Sequence, residues 1–110
     1  MIEVDCHISI KKDGVCFLGP IKIELLQEIK KCGSLSQAAK NLKFSYQYAW
    51  TMLDEMNKAA PFPLVVKQRG GSNGGGAEIS PYGEKILVDY YLIKEQIQKL
   101  VTQINFEINL

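Results

Sequence analysis

At 110 residues, with 13 Lys and Arg against 12 Asp and Glu, the chain has the length of one domain around one core, and its formal charge of +1 gives no global excess for neutralising phosphate. Apolar residues at 46% and charged residues at 23% suit a soluble globular protein. No apolar run reaches the roughly 18 residues of a membrane span, and the start Met1-Ile2-Glu3-Val4-Asp5 is acidic where a signal peptide is basic, so a cytoplasmic protein with no membrane partner is expected.

Val4, Cys6, Ile8 and Ile10 alternate with polar residues, the period of a half-buried strand. Lys11-Lys12-Asp13-Gly14 then offers an Asp-Gly turn, and Val15 to Leu18 would return as the second strand of a hairpin over residues 1–19. The three cysteines, Cys6, Cys16 and Cys32, are odd in number and lack C-x-x-C spacing. Neither a disulfide framework nor a zinc site is indicated, and reduced, partly buried thiols are expected. His7 is the only histidine, which leaves hydrolytic triads and His-based metal sites without support. No catalytic residue, metal or cofactor is therefore assigned, and the chain reads as a non-enzyme.

Gly19-Pro20 opens a helix in which Ile21, Leu25, Ile29 and Cys32 recur at helical spacing, widened by Leu26. Lys30 and Lys31 favour its C-terminal dipole and Gly33 is placed to end it. Ser34-Leu35-Ser36-Gln37 carries the signature of a capping box. Ala38, Ala39 and Leu42 supply the apolar stripe of this second helix, Lys43-Phe44 turns the chain, and Ser45 caps a third helix through Asn57. With Ala49, Leu53 and Met56 facing inward, steps of about 100° place Gln47, Thr51, Asp54 and Lys58 outward. Tyr48 and Trp50 flank that stripe. Amide and hydroxyl groups there suit the reading of base edges. Trp50 is expected to be partly buried at the edge of the helix pair, because its large apolar area gains most from packing.

Pro61 and Pro63 end the third helix. Leu64 to Gln68 reads as a strand, residues 69–76 hold five glycines in eight positions, and Ala77-Glu78-Ile79 reads as the returning strand. The order helix, turn, helix, glycine-tipped hairpin is that of a winged helix-turn-helix over residues 20–80. Neither phosphate-binding glycine spacing, G-x-x-x-x-G-K-[ST] or G-x-G-x-x-G, occurs. From Ser36 to Gly76 the basic residues Lys40, Lys43, Lys58, Lys67 and Arg69 outnumber the acidic Asp54 and Glu55, five to two. Ser80-Pro81 then starts a long helix over residues 81–106, in which Ile86, Tyr90, Ile93, Ile97, Leu100 and Ile104 alternate spacings of four and three. Leu87 and Val101 broaden this seam, whose coiled-coil pattern calls for a partner helix and predicts a homodimer.

Together these features give a mainly α fold with a small β component: a winged helix-turn-helix with an N-terminal β-hairpin and a long C-terminal dimerisation helix. Gly33-Ser34-Leu35-Ser36-Gln37-Ala38-Ala39-Lys40, Ser45-Tyr46 with Ala49-Trp50, Glu55-Met56-Asn57, the wing from Gly70 to Ala77, and Pro81-Tyr82-Gly83 resemble the DNA-binding domain of ModE-type molybdate-responsive regulators, relatives of the LysR-type winged helix-turn-helix. The likeness covers roughly Ile21 to Leu100. It implies a homodimer on double-stranded DNA, each recognition helix in a major groove with its wing alongside. Gln47, Tyr48 and Thr51 inherit base reading from it, Ser34, Ser36, Gln37 and Lys40 a phosphate role, and Arg69, Ser72 and Asn73 backbone or minor-groove contacts. Full-length members carry a C-terminal oxyanion-binding region that these 110 residues do not contain, so molybdate sensing is not carried over. The competing reading is a protein-interaction module on a winged-helix scaffold.

Overall fold

The computed structural model describes residues 2–67 and 76–108. Asp13 (φ 52°) and Gly14 (φ 80°) both take left-handed backbone, the conformation of a two-residue turn whose twist matches that of its flanking strands. They join β1 (Ile10–Lys12) to β2 (Val15–Leu18), with Lys12 opposite Val15 and Ile10 opposite Leu18. The expected strand from Val4 begins only at Ile10. Upstream, Val4 and Ile8 are half-buried while Cys6 is exposed, because this stretch lies along a helix instead of pairing with a strand.

Pro20 sits in the first turn of α1 (Pro20–Cys32), where its missing N–H removes no helical bond. Gly33 (φ 73°) ends the helix and donates its N–H to the Ile29 carbonyl at 2.8 Å. The buried stripe differs from the expected one. Lys22, Leu25, Leu26 and Ile29 face the core together with Ile23, while Ile21 is exposed. The spacing i, i+3, i+4, i+7 is met with a lysine in its first place.

Ser34 caps α2 (Leu35–Leu42) by accepting the Gln37 N–H at 3.1 Å. The reciprocal half of the expected capping box is not made: the Gln37 amide donates to Asn41 Oδ1 at 2.8 Å. Lys43, at φ 60°, turns the chain. Ser45 then caps α3 (Tyr46–Ala59) through the Tyr48 N–H. Ala38, Ala39, Ala49, Met52, Leu53 and Met56 are buried between α1, α2 and α3, and the small alanines permit the close helix approach.

β3 (Val65–Lys67) pairs antiparallel with β4 (Ala77–Ile79), Val65 opposite Ile79 and Lys67 opposite Ala77. Two polar residues fix this wing to the body. The Asn57 carboxamide accepts the Leu64 N–H at 2.9 Å and donates to the Val65 carbonyl at 3.3 Å. Ser80 donates its hydroxyl to the Pro63 carbonyl while accepting the Gly83 N–H as the cap of α4 (Pro81–Glu107). At Gly83 a Cβ would stand 2.3 Å from the Leu64 carbonyl oxygen, so only glycine lets α4 start this close to β3.

The 27 residues of α4 span about 40 Å at ~1.5 Å per residue, in a molecule of 57 × 29 × 22 Å. Its first half lies on the body through Leu87 and Tyr90. Farther along, Asn105 accepts the Val4 N–H at 2.6 Å and donates to the Val4 carbonyl at 2.9 Å. The Tyr90 hydroxyl donates to the Ile8 carbonyl at 3.2 Å. Burial pushes this phenol above its ordinary pKa. The N-terminal stretch thus runs antiparallel to α4, and Val101, between these two anchors, is buried.

Candidate nucleic-acid interface

The inner face of α3 is used up by Ala49, Met52, Leu53 and Met56, so the chain's caps and packing decide what points outward. Gln47 and Tyr48 are exposed and Thr51 is half-exposed. The Gln47 Nε2 donates to Thr51 Oγ1 at 3.2 Å across one helical turn, which aligns the two side chains on one ridge and leaves the Gln47 carbonyl oxygen and its second N–H for another partner. The Tyr48 ring stands edge-on to Phe44, centroids 5.2 Å apart, so the turn between the helices holds this aromatic in place. The three expected base-reading residues therefore share one accessible face.

Each acidic residue of α3 has a lysine partner. Asp54 pairs with Lys58 at 2.9 Å and Glu55 with Lys22 at 3.1 Å. Lys40, Lys43 and Lys67 are exposed and make no ion pair among the described residues, so their charge is not offset within the described chain. On α2, Ser36 and Lys40 are exposed and Ser34 is half-exposed. The Ser34 hydroxyl accepts the capping bond and keeps its own proton to donate. Gln37 is exposed but engaged with Asn41, whose amide donates in turn to Glu28 at 2.8 Å. These residues lie on, or cap, a helix packed against α3. The wing residues Arg69, Ser72 and Asn73 lie outside the described residues.

Trp50 keeps 39% of its surface exposed, so its expected packing at the helix-pair edge is met only in part, and the core closes without it. Cys6 and Cys16, expected to be partly buried, are exposed, and Cys32 is half-buried, all three as free thiols. Among the described residues no group of three His, Cys, Asp or Glu side chains is placed to hold a metal ion. No helix among them is long and apolar enough to cross a membrane.

Of the seam residues on α4, Tyr90 is buried within the chain, and Ile86, Ile97 and Ile104 are half-buried, whereas Ile93 and Leu100 are exposed at 39% and 58%. The seam is therefore divided between the chain's own body and N-terminal stretch on one side and solvent on the other. Sequence reasoning left three positions without a role that the structure gives one. Lys22 holds Glu55 of α3, Asn57 holds the wing, and Asn105 holds Val4. Only Lys22 carried a visible signal, as a charge in the first place of an apolar helical stripe.

No family model matches the chain. It is 45% identical over 94 residues to the transcriptional regulator ModE of Haemophilus influenzae, covering 86% of this chain and 37% of the relative. It is 35% identical over 103 residues to the molybdenum transport protein ModE of Azotobacter vinelandii, covering 94% and 38%. To the DNA-binding transcriptional dual regulator ModE of Escherichia coli it is 35% identical over 98 residues, covering 89% and 37%. The chain spans a little over a third of the length of these relatives.

Proposed function

The chain belongs with the ModE-type transcriptional regulators, matching their N-terminal part, and on that premise we propose that it is a sequence-specific DNA-binding regulator acting as a homodimer. In this reading α3 enters the major groove with Gln47, Tyr48 and Thr51 toward base edges, and α2 meets the backbone through Ser34, Ser36, Gln37 and Lys40. The wing, with Arg69, Ser72 and Asn73, lies on the adjacent backbone or minor groove. The observation that carries the reading is the exposed ridge of α3, on which donors and acceptors are presented while both neighbouring carboxylates are neutralised by lysines. Exposed Ile93 and Leu100 on α4 support pairing with a second copy, and a two-fold pair would cover two half-sites.

Gel mobility shift against duplex DNA at low and moderate salt tests this. Removing one phosphate-binding cation should flatten the plot of log affinity against log salt by about 0.9. Lys40→Ala is expected to weaken all duplexes alike and to lower that slope by about one unit per protomer. Binding absent even at low salt would leave the protein-interaction alternative.

A further inference from the structure

Residues 4–18 touch the two helices that the proposed function uses, one at each end. At one end the Asn105 carboxamide grips both backbone groups of Val4 at 2.6 and 2.9 Å, and Tyr90 holds the Ile8 carbonyl, all on α4. At the other end the contacts are with α3. Lys12 at the hairpin turn donates to the carbonyl of Ala59, the last residue of α3. The buried Lys22 ammonium donates to the Cys16 carbonyl at 2.7 Å and pairs with Glu55 at 3.1 Å, one turn beyond Thr51. β2 itself packs on α3.

These contacts are directional. Lys22 is only 8% exposed and occupies a stripe position where an apolar side chain would serve packing. The Glu55 carboxylate it meets is about half exposed, so the pair offsets only part of the cost of burying the ammonium, and the contacts to Cys16 and Glu55 are better explained by the single orientation they impose than by stability. Asn105 likewise binds backbone only, fixing a register at little apolar gain.

We propose that residues 4–18 are a strut that sets the orientation of α3 against α4, with Lys22 and Asn105 as the positioning residues at its two ends. The spacing and tilt of two recognition helices across the proposed dimer then depend on it. The inference rests on α3 being the recognition helix, and its test has one arm that needs no DNA.

In that arm, amide hydrogen exchange is followed in the free full chain. Asn105→Ala, made on α4, is expected to speed exchange in the last turns of α3 by about tenfold. Unchanged exchange there overturns the strut. In the second arm, Lys22→Met is expected to keep or raise the melting temperature yet reduce discrimination between a selected duplex and a scrambled one by about tenfold, the scale of a single mismatched base pair, with Lys22→Arg restoring it. A lowered melting temperature with discrimination intact would make Lys22 an ordinary structural residue and overturn the proposal. If the wild type failed to discriminate duplexes while α3 still responded to Asn105→Ala, the strut would stand and the DNA reading would fall.

Discussion

Asn57 and Gly83 hold the wing to the helical body by opposite means, one through hydrogen bonds and the other through the absence of a side chain. Leu64 and Val65, which Asn57 serves, are 0% and 4% exposed, so Asn57→Ala leaves a buried N–H and a buried carbonyl unpaired. The expected cost is about 1–3 kcal/mol, read as a melting temperature lower by several degrees. Gly83→Ala forces a methyl group against the Leu64 carbonyl and is expected to cost about 2 kcal/mol or more. An unchanged melting temperature in either variant would contradict this assignment. The caps at Ser34 and Ser45, the turn at Asp13-Gly14 and the stop at Gly33 were legible because each depends on residues within four positions. Asn57 was not, because its partners are strand backbone groups whose place depends on the tertiary fold.

Among the elements, α4 and the N-terminal stretch depart most from a reading by period. The alternation of Val4, Cys6, Ile8 and Ile10 marks an extended segment correctly in part. Its partner, however, is a helix some hundred residues away, and no local pattern carries that pairing. For the same reason the seam on α4 reads as free along its whole length while Tyr90 and Val101 are already covered. The proposed dimer therefore depends on the uncovered members. Leu100→Asp changes a side chain that is 58% exposed in the single chain, so it should leave the fold intact and give a monomer by sedimentation, since a charge buried between two helices would have no partner. Two variants separate the uses of α4: Leu100→Asp addresses pairing between copies, Asn105→Ala the hold on the N-terminal stretch. A wild type that sediments as a monomer at about 10 µM, an ordinary concentration for detecting weak dimers, would contradict pairing through α4.

For the whole molecule, the charge that matters is local. A net charge of +1 says little, but Asp54 and Glu55 are paired with lysines within the chain, and the exposed Lys40, Lys43 and Lys67 make no ion pair among the described residues. The sequence conveyed the excess of basic residues in this stretch and the outward placement of Gln47 and Thr51 by helical spacing. It did not convey that Lys22 silences Glu55, since that pairing crosses from α1 to α3. The central claim is that two such ridges, related by a two-fold axis, read a defined sequence. Selection from a random-sequence duplex library at about 0.15 M salt, where non-specific phosphate binding is weakened, tests it most directly. Recovered duplexes should converge on an inverted repeat whose half-sites lie one or more helical turns apart, whereas a pool that stays random through successive rounds would contradict the account.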